Sequence, residues 1–179
     1  MRTFISIDIP EKIREEIALV SREFSGEGIT MVKTDALHLS IHFLGDLTEQ
    51  GINKVKESMK EISAEEFEVG IKGIDFFTPN FIKVIFARIS AGEAQCSDIY
   101  EQLGRALVSR GFELEPGKYT PHVTLARVKR VKNPAALVLQ IRSHAETEFG
   151  SFMVKSIKLK SSELTGEGPV YTDLYKLDL

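Results

Sequence analysis

His38-Leu39-Ser40-Ile41 and His122-Val123-Thr124-Leu125 repeat one pattern: histidine, aliphatic, hydroxyl, aliphatic. Both alternate polar and apolar residues with the period of two that belongs to a β-strand, where side chains two apart share a face. His38 and Ser40 therefore point one way, with Leu39, Ile41 and Phe43 pointing the other way into a core. His122 and Thr124 are set out in the same manner, with Val123 and Leu125 behind them. A lone histidine and hydroxyl on one strand face are ordinarily surface decoration. Two matching tetrads in a chain of this size are harder to dismiss, and each sets an imidazole beside a hydroxyl on a rigid platform.

Working outward, each tetrad is preceded and followed by a helical segment. Thr3 to Ile9 alternates as a strand, and Ile13, Ile17, Val20 and Phe24 recur at helical spacing over residues 10–24. Residues 37–44 form the first tetrad strand. Thr48 is placed to cap a helix carrying Ile52, Val55, Met59 and Ile62 on one face. Residues 67–77 and 81–90 read as two strands around the turn Thr78-Pro79-Asn80. A helix over 92–110 turns Cys96, Ile99, Leu103 and Leu107 inward, and Gly111 closes it. The second tetrad strand spans 122–128, Asn133-Pro134 opens a helix through about His144, and strands at 152–163 and 170–177 close the chain around a Gly-Glu-Gly-Pro turn. Strict βαβ alternation is absent. The order predicts an α+β fold: antiparallel-rich sheets with helices outside, arranged as a pseudo-repeat within one domain over residues 1–179.

The 179 residues are 42% hydrophobic and 27% charged, enough apolar material for a core and too much for a disordered chain. No run approaches the ~18 apolar residues of a membrane span, and Asp8 interrupts the opening apolar stretch where a signal peptide would continue. A soluble, cytoplasmic protein with no membrane association is expected. The lone Cys96 reads as a small core residue and makes neither an internal disulfide nor a cysteine-rich zinc site. With 23 basic and 26 acidic residues the net charge is -3. That excludes coating nucleic acid through a global field, but not gripping one phosphate in one cleft.

Two imidazoles near their ordinary pKa of ~6.5 can divide acid and base work at neutral pH. One neutral imidazole takes a proton from water while the other, protonated, gives one to a departing oxygen. Adjacent hydroxyls donate to phosphoryl oxygens. The pattern suits attack of water on a phosphodiester without a metal or cofactor. A nucleophilic serine fits less well, because Ser40 lies on a regular strand and not on a sharp elbow.

The stretches His38-Leu39-Ser40-Ile41-His42-Phe43-Leu44-Gly45 and Pro121-His122-Val123-Thr124-Leu125-Ala126-Arg127 resemble the two HxTx motifs of the 2H phosphoesterase superfamily. Within it they are most similar to the RNA 2′,3′-cyclic phosphodiesterases, also called 2′-5′ RNA ligases. The resemblance spans nearly the whole chain, and Ser40 stands where threonine is more usual. It implies a bilobal molecule with two sheets facing a central cleft in pseudo-twofold symmetry. It further implies hydrolysis of RNA 2′,3′-cyclic phosphate ends to 2′-phosphomonoesters, with His38 as proton donor, His122 as proton acceptor, and Ser40 and Thr124 on the phosphate. Run backwards, the same groups join a 5′-hydroxyl RNA end through a 2′-5′ bond. The partner implied is RNA with a cyclic phosphate end, tRNA fragments included; no protein partner is implied, and a monomer is expected. Another 2H-type reaction on a nucleotide or RNA 3′ end, and a non-catalytic nucleotide- or RNA-binding module, are the alternatives.

Four further residues are candidate substrate contacts: His42, two along from Ser40; Tyr119, just before the second tetrad; and Arg127 and Arg130, in a basic run with Lys129 and Lys132. On a regular strand Arg127 would face away from His122, and only a bulge or strand end would turn it back. The His38–His42 spacing does not make a zinc pair, because it is not helical and lacks the glutamate of such motifs. His144, at a helix end, reads as a surface residue favoured by the helix dipole. Phe76, Phe77 and Phe81 surround a turn and read as core packing more readily than as a stacking platform.

Overall fold

The computed structural model describes residues 2–77, 81–166 and 168–179. The predicted turn at Thr78-Pro79-Asn80 and Glu167 of the closing turn lie outside them. In chain order the elements are β1 (Arg2–Asp8), α1 (Glu11–Ser21), β2 (Ile29–Met31), β3 (His38–Asp46), α2 (Glu49–Lys60), β4 (Phe67–Phe77), β5 (Val84–Ala91), α3 (Glu93–Ser109), β6 (His122–Val128), α4 (Pro134–Ser143), β7 (Glu148–Val154), β8 (Ser156–Thr165) and β9 (Gly168–Asp178). The helices start where the side chains favour it. Thr48 Oγ1 accepts from the Gly51 N–H, and the Asn133 side chain accepts from the Ala136 N–H with Pro134 in the first turn.

The strands are antiparallel in the order β7-β4-β5-β6-β3-β1-β8-β9, with the short β2 on β6. The expected α+β class is what the chain adopts. The two expected sheets are halves of one strongly curled sheet, joined where β3 meets β6 at a single registered pair, Leu39 opposite Val123. Both residues are the second of their tetrad, so the tetrads lie back to back about the midline of the sheet. The sequence β1-α1-β3-α2 on one side is repeated as β5-α3-β6-α4 on the other. The helices cross over this midline: α1 packs on β6 and β7, and α3 packs on β3.

Leu39, Ile41, Val123 and Leu125 join one buried apolar cluster with Ile17, Val55, Met59, Ile99, Leu103 and Leu107 from the helices. Cys96 is fully buried in it, and burial pushes its thiol up to about 12, which makes it inert. The predicted strand at 152–163 is in fact two strands broken at Lys155. β7 pairs with β4 in one half, whereas β8 pairs with β1 in the other, so the chain must change partners there.

The alternation that defines the tetrads fails one residue after their hydroxyls. Ser6 stands opposite Ser40 and Ile5 opposite His42, leaving Ile41 without an opposite number. Phe86 stands opposite Thr124 and Ile85 opposite Ala126, leaving Leu125 likewise. These are β-bulges at equivalent places, and each puts two successive residues toward the core and reverses the parity beyond. Ile41 and His42 are both buried, as are Leu125 and Ala126. Phe43, expected in the core, is instead 66% exposed on the face of His38.

Candidate active site

The two tetrad histidines are held identically. The His38 Nδ1 lies 2.7 Å from the Ala36 carbonyl oxygen, and the His122 Nδ1 lies 2.7 Å from that of Thr120. A carbonyl only accepts, so Nδ1 carries the hydrogen in both rings and the neutral ring keeps its free lone pair on Nε2. The local chain thus fixes each tautomer through the carbonyl two residues upstream. Burial lowers the pKa of both imidazoles; the backbone hydrogen bonds oppose this. Beyond those effects, Lys160 lowers His38, Asp8 raises it and His122 lowers it further, while Arg127 lowers His122. The Leu39–Val123 pair sets the two tetrad strands side by side in the sheet.

Their surroundings differ. Asp8 on β1 stands opposite His38, and Arg88 on β5 occupies the same register slot opposite His122. Around His38 the ring of Phe4 lies 4.8 Å away and that of Tyr171 edge-on at 5.4 Å. Next to them Lys158 and Lys160 each bridge Asp8 and Asp173 at 2.6–3.0 Å. Burial works to raise both carboxyls, but the two ammonium groups outweigh it and hold them below their usual value. Around His122 the neighbours are aromatic: Phe77 and Phe86 stack on each other at 4.1 Å and meet the imidazole edge-on at 4.9 and 5.2 Å. Phe77 therefore faces His122 and is not the plain core residue its spacing suggested.

Ser40 and His122 line a cavity of about 330 Å³ with Phe43, Tyr119 and the segment Leu114–Lys118. His38 lines a smaller one of about 180 Å³ with Asp8, Lys160 and Tyr171. Thr124 is half-buried on the His122 side of β6, opposite Phe86.

Of the further candidates, the bulge carries Arg127 to the face of His122 and Thr124, where it lies opposite Val84 and lowers the His122 pKa. The bulge at Ile41 takes His42 out of the His38 face. His42 is buried, its Nε2 donates to the Tyr100 carbonyl at 2.8 Å, and its ring stacks on Tyr100 at 4.1 Å, though it still lines the cavity with Ser40 and His122. Tyr100 stacks in turn on Tyr119 at 4.2 Å, and the Tyr119 hydroxyl donates to the Ser40 carbonyl at 3.0 Å. Burial raises the Tyr119 pKa and keeps it a donor. Tyr119 thus braces the backbone of Ser40, a role its position in the sequence did not show. Arg130 is exposed in the turn after β6, where its backbone meets Gly28; the structure does not bring it to the histidines. His144 is not a free surface residue: its Nε2 lies 2.9 Å from Glu23 and its ring stands edge-on to Phe24. Phe4, Phe77, Phe86 and Tyr171 were not selected from the sequence as site residues, since contacts between remote strands leave no local periodic signal.

Residues 7–179 match the family of the AKAP7 2′5′ RNA ligase-like domain. The chain belongs to this family. Among curated relatives, this 2′-5′ RNA ligase-like domain is 37% identical over 173 residues to a Methanocaldococcus jannaschii protein named RNA 2′,3′-cyclic phosphodiesterase, covering 96% of both chains. It is 32% identical to the protein of that name from Aeropyrum pernix, covering 93% of this chain and 92% of the relative. Among solved structures it is similar to TT0787 of Thermus thermophilus, with a TM-score of 0.82 at 26% identity over 100% of this chain and 98% of the other. The fold is also that of E. coli LigT complexed with 3′-AMP, with a TM-score of 0.82 at 21% identity over 99% and 97%. The 2H phosphoesterase resemblance of the two tetrads and the curled antiparallel sheet therefore agree with the family. No helix among the described residues is long and apolar enough to cross a membrane.

Proposed function

We propose that the chain hydrolyses RNA 2′,3′-cyclic phosphate ends to 2′-phosphomonoesters by acid–base catalysis shared between its two tetrads. The observation that carries this reading is the pair of imidazoles on adjoining strands. Each is locked at Nδ1 by a backbone carbonyl, so that Nε2 is the atom left for chemistry. Water attacks phosphorus with its proton passing to the neutral His122 Nε2. The P–O3′ bond breaks, and O3′ takes the proton from the protonated His38 Nε2. Ser40 and Thr124 hydroxyls donate to the non-bridging oxygens as charge gathers on them, and Arg127 adds a cation on the same side. Asp8, beside His38, favours the protonated ring against the stronger opposing charge of Lys160; Arg127, beside His122, favours the neutral one. The names of the relatives in M. jannaschii and A. pernix support the substrate class.

The test is a short RNA ending in a 2′,3′-cyclic phosphate, incubated with the protein in EDTA and followed by ³¹P NMR. A 2′-monoester product is expected. A 3′-monoester, or no turnover unless a divalent metal is added, overturns the reading.

A further inference from the structure

A cavity of about 620 Å³ adjoins His122 and is larger than either cavity lined by a tetrad histidine. Its walls include Phe86 and Arg88 of β5 and Lys72, Phe76 and Phe77 of β4. In the sheet these strands lie beyond β6 on the side away from β3, so the cavity is across His122 from His38. It connects to the histidine through Phe77 and Phe86, which wall the cavity and touch the imidazole at once.

Displacement at phosphorus puts the attacking and leaving oxygens roughly in line, on opposite sides. With His38 serving the departing O3′ and His122 the attacker, the ribose bearing the cyclic phosphate belongs on the His38 side. Whatever lies beyond His122 belongs to the attacker. Water needs no such space. An attacker that is itself a nucleoside does, and the volume is within the range that holds a molecule of that size. The aromatic wall suits a base, because stacking accepts any base face. Lys72 and Arg88 stand at the wall as two cations, lying 3.1 and 3.9 Å from the same carboxylate, Glu146; Lys72 also lies 3.5 Å from Glu148, and Asp75 and Glu93 line the cavity as well. Glu146 and Glu148 are both largely exposed, so a phosphate displaces them from the two cations at small cost.

We propose that this cavity is the subsite for the 5′-terminal nucleoside of an RNA bearing a 5′-hydroxyl, the acceptor in 2′-5′ joining. The inference rests on the acid–base reading above and adds the acceptor's place. The 5′-oxygen attacks phosphorus and gives its proton to His122. The P–O3′ bond breaks, O3′ takes the His38 proton, and a 2′-5′ phosphodiester with a free 3′-hydroxyl results. The phosphate following the acceptor's first nucleoside then meets Lys72 and Arg88.

The experiment measures hydrolysis and joining together, using a trinucleotide ending in 2′,3′-cyclic phosphate and increasing concentrations of a 5′-hydroxyl RNA. Wild type is compared with Lys72→Glu and Phe76→Leu, neither of which contacts the tetrads. Hydrolysis without acceptor is expected within about twofold of wild type in both, which also shows that they fold. The acceptor concentration giving half-maximal joining is expected to rise about tenfold in each, the size of a lost stacking or phosphate contact. Equal half-saturation in all three proteins, or no joining by a wild type that hydrolyses normally, overturns the subsite and leaves the hydrolytic reading standing. Absence of hydrolysis by wild type overturns both.

Discussion

The half of the sheet around His38 and the half around His122 share a backbone plan and differ in chemistry. Each has a strand, a bulge after the hydroxyl residue, and an imidazole tied to the carbonyl two residues upstream. Yet Asp8 fills the slot that Arg88 fills on the other side, and the Lys158–Lys160–Asp8–Asp173 network beside His38 is replaced by the Phe77–Phe86 pair beside His122. Duplicated geometry with divergent neighbours is what a reaction with one acid and one base requires. The repeat places two equivalent groups, and their neighbours make them unequal.

The strongest way to break this symmetry is to remove an imidazole. His38→Ala and His122→Ala are each expected to lose about 10²–10⁴-fold in kcat on a cyclic phosphate RNA, in a steady-state assay. If one variant kept wild-type turnover, the two halves would not share the chemistry. Next come the hydroxyls. Ser40→Ala and Thr124→Ala should each cost about 10²-fold in kcat, the loss typical of one donor to a developing oxyanion, while Ser40→Thr stays near wild type.

The pH profile sharpens the contrast. Burial holds both imidazoles below 6.5, so the bell of kcat/KM against pH should centre on the acid side of 6.5. Asp8 favours the protonated His38, so Asp8→Asn lowers that pKa and moves the alkaline limb to lower pH. Arg127 disfavours the protonated His122, so Arg127→Ala raises that pKa and moves the acid limb to higher pH. The two substitutions narrow the same bell from opposite sides. Movement of the same limb by both would show that they do not act on different histidines.

The smallest effect concerns the brace under Ser40. Tyr119→Phe removes the hydrogen bond to the Ser40 carbonyl and should cost about 1 kcal/mol. In a chain of this length that lowers Tm by about 2–4 °C, measured by thermal unfolding.

The tetrads, the capping residues Thr48 and Asn133, and the inward face of α3 could be read in the sequence because each is encoded within a few residues. The site's asymmetry could not. The bulge at Ile41 depends on how β1 pairs with β3, and the equivalent bulge at Leu125 depends on how β5 pairs with β6. Without that register His42 looked like a residue of the His38 face, Phe43 a core residue and Arg127 a residue turned away. The placing of Lys160 by His38 and of Phe77 by His122 is equally a matter of strand order, which alternation within one strand does not specify. Lys155 shows the same limit: it sits in an unbroken strand-like run, and only the change of partner between β7 and β8 reveals the break.

The division of labour is tested most directly by the leaving group. A cyclic substrate with sulfur in place of O3′ departs as a thiolate, whose conjugate acid has a pKa near ~8.5 and needs no proton from the enzyme. Turnover of this substrate should be restored in His38→Ala and remain lost in His122→Ala. Rescue of His122→Ala instead, or of neither variant, would contradict the assignment of His38 as the acid and His122 as the base.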